Sequence, residues 1–406
     1  MLKLSLRNIL RQKAHTTMSL VSIICGVVGI ILAGGWVNDI FFQLGEALIH
    51  SNSGHAQIYK QGYFTEGSRS PEKYLIFDSD QIKRIIAQEV AVEKFNSISA
   101  RLYFSGLLNN GRNDLPIIAE GIEPDNENRF SSALKITKGR QLLDQDKFGI
   151  MLGRGLSNSL KLKPGDPVTL LVNTIDGALN SLDFEVIGIF QSFSNDYDTR
   201  TVKISLAAAQ ELMSTNAVNA LVVSLKNTND TDQIAKLLKN NFSTLGLEVK
   251  TWVELNDFYE KTVELYKGQF GVLQFIILVM VCLSVANSVN MSIYERVSEF
   301  GTMMALGNRS RHVFHLILYE SFLLGAIGAS LGIIIGAFLA LAISAIGIPM
   351  PPPPNADLGY IAQIRVVPSV LLLAFLIGLF ATVLAAIAPA RKIARLPIVE
   401  ALRQNY

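Results

Sequence analysis

The sequence predicts an α-helical membrane protein: four transmembrane helices, with an α+β extracytoplasmic domain inserted between the first and the second. Three observations carry that prediction. Four stretches stay apolar for the roughly 20 residues that a helix needs to cross a bilayer. Lys and Arg cluster beside those stretches on one side. Between them, over about 200 residues, the pattern changes to short alternating segments punctuated by Gly, Pro, Asn and Asp. Composition agrees. The 406 residues are 50% hydrophobic and 17% charged, against about 25% charged in an ordinary soluble domain, and mean hydropathy is +0.33.

The spans are expected at 18–38, 269–291, 313–346 and 369–389. The third is longer than a bilayer requires and predicts tilt or projection past the membrane. The first apolar run is too long for a cleavable signal peptide, and no small-residue cleavage site accompanies it. Lys3, Arg7, Arg11 and Lys13 precede the first span. Arg296, Arg309 and Arg311 separate the second and third, and Arg391, Lys392, Arg395 and Arg403 follow the fourth. The loop 347–368 has only Arg365. The excess of Lys and Arg marks the cytoplasmic side. Both termini and the loop 292–312 are therefore expected in the cytoplasm. The domain 39–268 and the proline-rich loop 347–368 are expected on the opposite side.

Of the 36 basic and 34 acidic residues, 12 and 5 lie outside 39–268, which leaves the domain mildly acidic with 24 and 29. No basic stripe exists away from the membrane flanks, which argues against nucleic acid as a partner. Cys25 and Cys282 both fall in apolar runs, so the inserted domain has no disulfide framework and no cysteine metal site.

Residues 1–17 read as an interfacial helix, or as a plain positive flank. Leu2, Leu6, Ile9 and Leu10 share one stripe and Lys3, Arg7 and Arg11 another. The first span continues outward as an amphipathic stalk through Ile40, Phe41, Leu44, Ala47 and Leu48. A return stalk is expected over 252–267, with Val253, Phe258, Val263 and Tyr266 at helical spacing. Between the stalks, strands are expected at 56–59, 117–119, 168–172 and 184–190, and helices near 80–90, 206–213 and 231–240. The length leaves room for two lobes. In the third span Gly325, Gly328, Gly332 and Gly336 allow close helix approach, within the chain or across a dimer. Glu320, near the start of that span, is a functional candidate or the partner of a nearby Arg.

The sequence has no phosphate-binding loop. Its nearest glycine-rich piece, 149–155, lacks the lysine that reaches a phosphate. His312 and His315 have no third ligand for zinc. Asn195 to Asp198 reads as a turn rather than a calcium loop. Ser5, Ser51 and Ser53 have no evident base and acid partners. No catalytic residue and no cofactor is expected in this chain, and an enzymatic role for it alone is weakly supported. The segment 294–307 differs in kind. Read as one helix, it puts Val297, Phe300 and Met304 on one face and Glu295 and Glu299 four apart, with Gly307 as a stop. A short helix with an apolar ridge suits a groove in a partner, or an interfacial position without one.

Glu295, Arg296, Glu299, Phe300 and Gly301, followed by Met304, Ala305, Leu306 and Gly307, resemble the signature of FtsX-like permeases of the MacB-type ABC transporter class. The ending from Pro389 to Arg403 is similar to that family's C-terminus. Segments 53–59 with Gly62 and Tyr63, 152–166 and 184–190 resemble the lipoprotein-releasing branch. The proline run at 349–360 has no counterpart there. The resemblance covers essentially the whole chain.

That resemblance implies a bacterial inner-membrane permease with a periplasmic domain. It implies partners as well: a cytosolic ABC ATPase dimer that holds the ATP and Mg, a second permease copy or paralogue, and a periplasmic acceptor or adaptor. The 294–307 helix then docks on the ATPase through Tyr294, Glu295, Arg296, Val297, Glu299, Phe300, Gly301, Met304, Leu306 and Gly307. Movement passes through the stalks to the outer domain, which is mechanotransmission. The substrate it implies is a lipoprotein or lipid, lined by Phe41, Phe42, Leu44, Leu48, Val263, Tyr266 and Phe270. Taken alone, the same aromatics point first to packing between the stalks. Peptide or small-molecule export with an adaptor, and non-transporting activation of a cell-wall hydrolase, are the competing functions.

Overall fold

A computed structural model of the chain describes residues 13–67, 71–90, 92–192, 194–351, 359–395 and 397. The expected interfacial helix before residue 13, the proline run over 352–358 and positions 396 and 398–403 of the C-terminal signature lie outside the described residues. The chain forms two compact units. One comprises Met1–Phe42, Thr262–Met350 and Ile361–Tyr406; the other comprises Gln43–Lys261 and Pro351–Tyr360.

The membrane-spanning unit draws on helices α1 (Lys13–Leu48), α8 (Asp257–Glu295), α9 (Val297–Ala305), α10 (Ser310–Ile346) and α11 (Pro368–Ala394). Four of them are long and apolar enough to cross a membrane. Residues 13–17 belong to α1, and α1 and α8 each fuse a span with its stalk in one unbroken helix. No Pro interrupts the helical pattern at either junction, so nothing forces a break.

Glycine decides how the spans pack. A Cβ on Gly328 would lie 3.0 Å from Ile23, one on Gly332 2.8 Å from Val27, and one on Gly336 2.9 Å from Ile31. The same face of α10 meets α11, where a Cβ on Gly325 would lie 3.1 Å from Thr382. The glycine stripe therefore packs within the chain, letting backbones approach where lipid supplies no hydrophobic drive. The seam between α1 and α8 is different. Ser19 meets Ser288 at 2.5 Å and Ser22 meets Ser284 at 2.7 Å, hydroxyl to hydroxyl. At the other end of α1, the buried carboxylate of Asp39 accepts the Gln363 amide at 2.8 Å and Arg365 Nε at 3.0 Å. The Arg365 guanidinium lies 3.5 Å over the Phe42 ring. Ser344 on α10 bonds both the amide and the carbonyl of Ile364, so the chain leading into α11 is held by two spans.

The inserted domain is one ten-stranded sheet. Its strands are β1 (Ala56–Lys60), β2 (Phe95–Asn109), β3 (Asp114–Ile122), β4 (Lys135–Gly139), β5 (Gly149–Gly153), β6 (Pro167–Asn173), β7 (Leu179–Gln191), β8 (Thr201–Ser205), β9 (Ala220–Leu225) and β10 (Leu247–Thr251). The order is β10-β1-β9-β2-β3-β8-β5-β7-β4, with β6 bridging β2 and β7. The two lobes for which the length leaves room share this continuous sheet and differ only in their cores. One core is covered by α2 (Ser79–Glu89) and α7 (Thr231–Phe242), whose Ile82, Ile86, Ile234, Leu238 and Phe242 pack on Ile58, Val223 and Val249. The other lies under α4 (Arg154–Leu160) and α6 (Leu206–Met213), with Leu156, Ala209 and Leu212 on Leu102, Leu152, Val186 and Ile204. Short helices α3 (Pro124–Asn128) and α5 (Asn195–Asp198) complete the unit.

The α+β elements expected from alternation are present. The glycines of 149–155 serve packing: a Cβ on Gly155 would lie 2.5 Å from Thr199. Asp198, in the expected turn, caps the chain by accepting the Ser192 amide at 3.0 Å on each oxygen.

The α1 helix enters this unit through a π-helical turn, Ile49–Ser53. Just beyond it, buried His55 accepts the Leu225 amide on Nδ1 at 3.0 Å. Its Nε2 faces Thr228 Oγ1 at 3.2 Å, and that hydroxyl donates to Glu46 at 2.6 Å. Burial, aided by the nearby His50 and opposed by Glu46, pushes the imidazole down to about 4. Its neutral form thus contributes stability that is present above the unfolded value of about 6.5 and is lost as pH falls towards 4. The shift predicts a loss of about 3 kcal/mol across that window. Thermal unfolding against pH should show it, and His55→Gln should flatten this part of the curve. An equally steep curve in the variant would refute the assignment.

Candidate functional site

The single helix expected over 294–307 is two helices. The α8 helix ends at Glu295, Arg296 takes φ −111° and ψ 11°, and α9 begins at Val297. That bridge-region conformation turns the chain out of the span direction. The turn is held by the Arg296 side chain, itself 8% exposed. Its Nη1 donates to Glu320 on α10 at 2.9 Å, its Nε to Glu299 at 3.1 Å, and its guanidinium lies 4.9 Å from the Phe300 ring centre. Burial opposes the charge on Arg296, but Glu320 and Glu299 outweigh it and hold the guanidinium above its ordinary range. Glu320 is thus a paired carboxylate, the plainer of its two expected readings.

The apolar ridge is real but faces inward. Val297, Phe300 and Met304 are buried in the same core as Ile23, Val285, Leu316 and Ala386. Gly301 is buried with them. Of the residues expected to dock, Arg296, Val297, Phe300, Gly301 and Met304 thus turn towards the chain's own bundle. A short apolar face beside its own bundle buries itself there first. What α9 presents outward is Thr302, Ala305 and Leu306, with Leu306 82% exposed. Tyr294 and Glu295 are exposed at the end of α8, and Glu299 is half-buried. Gly307, at φ +96°, stops α9 with its amide on the Met304 carbonyl. Lys392 on α11 donates to the Tyr294 hydroxyl at 2.8 Å.

Several of the residues expected to line a substrate path make contacts of their own within the chain. Phe41 and Tyr266 meet edge to face at 6.1 Å. The Phe270 ring lies against Gly34, 3.1 Å from where a Cβ would stand. Phe42 lies under Arg365. Val263 is half-buried on α8, and Leu44 and Leu48 are half-buried at the end of α1. Phe41 with Tyr266 matches the stalk-packing reading of these aromatics.

Sequence reasoning missed three polar centres: Asp39 with Arg365, Glu46 with His50 and Thr228, and a buried charge cluster on the sheet. That cluster comprises Arg101, Glu120, Glu127 and Lys203. Its one sequence signal is that Arg101, Glu120 and Lys203 occupy strands between apolar residues that face the core. Among the described residues no group of three or more His, Cys, Asp or Glu could hold a metal ion.

Comparison with known families settles the class. The MacB-like periplasmic core domain matches residues 16–241, and the FtsX-like permease C-terminal domain matches residues 271–398. The chain belongs to the MacB/FtsX-like family of ABC transporter permeases. This MacB/FtsX-like permease is 27% identical over 289 residues to an uncharacterized ABC transporter permease, MJ1507, of Methanocaldococcus jannaschii, covering 67% of this chain and 66% of that one. It is 19% identical to the lipoprotein-releasing system transmembrane protein LolE of Haemophilus influenzae, covering 61% of each. It is 23% identical to the uncharacterized ABC transporter permease YvrN of Bacillus subtilis, covering 99% of this chain and 98% of that one. The chain thus spans slightly under two thirds of the first two relatives. The family, the four apolar helices and the domain inserted after the first of them accord with the expected fold class.

Proposed function

We propose that this chain is the permease subunit of an ATP-driven mechanotransmission complex that extracts lipoproteins or lipids from the outer leaflet of the inner membrane. ATP and Mg belong to a separate cytosolic ATPase dimer, and a second copy or a paralogue of this chain completes the permease. The 292–312 loop and both termini face the cytoplasm, and the large domain works in the periplasm, where an acceptor or adaptor takes the substrate.

The observation that carries this reading is the way α9 is built. Its inner face is fixed to the bundle by Arg296, Glu320 and Phe300. Its outer corner offers Leu306, with Tyr294 and Glu295 nearby in sequence and exposed. A rigid element with one projecting apolar knob and an acidic flank suits a cupped, basic-rimmed partner surface. The likeness to LolE supports lipoprotein as the cargo.

Purification in mild detergent tests both halves. An ATPase, a second permease chain and a bound lipoprotein are expected together. Leu306→Asp should lower ATPase recovery by about tenfold, since burying one Leu contributes about 1.5–3 kcal/mol. The thermal transition of the permease should not move, because the side chain is exposed. Undiminished ATPase recovery would remove the docking assignment. A small molecule or an adaptor in place of a lipoprotein would redirect the substrate to export, and a cell-wall hydrolase would redirect the function to regulation.

A further inference from the structure

Among the described residues, a fully buried charge lies outside the segment 294–307. Arg101 on β2 has a side-chain exposure of 0% and pairs with Glu127 on α3, which is 3% exposed. Both Nε and Nη2 donate to that carboxylate. Lys203 on β8 lies 3.3 Å from Glu127 and 3.3 Å from Glu120 on β3. The four charges sum to zero. Arg101, Glu120 and Lys203 sit on neighbouring strands, with Tyr103 opposite Glu120 and Glu120 opposite Lys203, and Glu127 comes from α3. Burial alone would discharge Glu127, but Arg101 and Lys203 hold its pKa below the ordinary value.

A buried ion pair is an expensive way to stabilise a core, and apolar residues of similar volume often do as well. What arginine adds is a planar fork of donors with fixed directions. Here the free limb of that fork reaches the π-turn at the end of α1. Nη1 donates to the Asn52 carbonyl at 2.6 Å and to Asn52 Oδ1 at 2.9 Å, and it lies 3.0 Å from the Tyr103 hydroxyl. A second contact joins the same places. The Phe130 ring lies 5.6 Å from the Arg101 guanidinium, and the Phe130 carbonyl bonds His50 Nδ1 at 2.9 Å. Arg101 therefore joins the turn that ends the first long helix to β2 and α3 directly, and through Glu127 and Lys203 to β8 and β3.

We infer that Arg101, held by Glu127 and gripping Asn52, is the positioning residue through which movement of the first helix enters the periplasmic sheet. This rests on the reading of the chain as an ATPase-coupled permease. Glu120 and Lys203 balance the charge, and Arg101 carries the connection.

Amide hydrogen exchange on the full complex with its co-purifying ATPase tests the inference, comparing the nucleotide-free state with ATP plus vanadate. In the unsubstituted complex, nucleotide should change exchange at 297–305 and in β2, β3 and β8. Arg101→Met with Glu127→Gln keeps the cluster neutral. It should leave the change at 297–305 intact and reduce the change in β2, β3 and β8 by about tenfold, to background. Glu120→Gln with Lys203→Met, equally neutral and equally buried, should leave both changes in place. If the first pair fails to fold, Asn52→Ala decides, since it removes one acceptor and should reduce the sheet response by about twofold. A sheet response that survives in Arg101→Met with Glu127→Gln, or in Asn52→Ala after that pair has failed to fold, overturns the inference. So does equal loss in the Glu120 and Lys203 pair. No nucleotide effect at 297–305 in the unsubstituted complex would overturn the coupling reading and this inference with it.

Discussion

Replacing Arg296 by Met is expected to destabilise the membrane-spanning unit by about 3–5 kcal/mol, because it takes the facing guanidinium away from the buried Glu320 carboxylate. Glu320 is 12% exposed and Arg296 8%, so water cannot take over the vacated contact. The same change removes the Arg296 hydrogen bond to Glu299 and the cation from the Phe300 face. The double replacement Arg296→Met with Glu320→Leu should recover most of the loss, since neither charge is then buried alone. Thermal unfolding in detergent measures both. The double variant should nevertheless stay uncoupled from the ATPase, because α9 has lost its fastening to α10. Recovery of stimulated hydrolysis together with stability would show that the pair only balances charge.

Gly332→Leu is expected to cost about 1–3 kcal/mol or more, because overpacking a close helix contact forces side chains off rotamer and backbones apart. The added Cβ alone would lie 2.8 Å from Val27 on α1, and the rest of a leucine has nowhere to go. The effect should be larger than that of Gly268→Leu, where nothing lies within 4 Å of the added Cβ. Both variants keep the apolar character of the chain, so insertion should be unaffected and only the helix contact is tested. Equal stability of the two would mean that the close approach of α1 and α10 contributes nothing.

The spans and the α+β character were legible because each rests on local pattern. A run of 20 apolar residues or a stretch of alternation announces itself within its own segment. The sheet order was not legible. Strand β1 pairs with β9 and β10, and Arg101 lies opposite Ala220, partners set by closure over more than a hundred residues. No spacing rule reaches that far. The coupling segment was half legible. Helical spacing says that Val297, Phe300 and Met304 share a face, but not whether the face meets a partner or the chain's own bundle. The pairing of Arg296 with Glu320 crosses from one helix to another, where periodicity is silent. Arg101 was hidden for another reason: a charged residue in a strand reads as a solvated position unless its buried partners are known.

The two flanks of α1 are built from opposite materials. Towards α10 it is welded by glycine and branched side chains, with no polar atom to exchange. Towards α8 it is closed by Ser19, Ser22, Ser284 and Ser288, like a zip fastener with two teeth. In a membrane such a bond contributes about 0.6 kcal/mol, close to the thermal energy, and each hydroxyl can turn back to its own helix backbone when its partner leaves. Ser22 already bonds the Met18 carbonyl at 3.0 Å. Opening that flank therefore leaves no orphaned donor in the lipid, and closing it needs no search for register beyond two hydroxyls. Of the two flanks, this is the one that can part and close again at little cost.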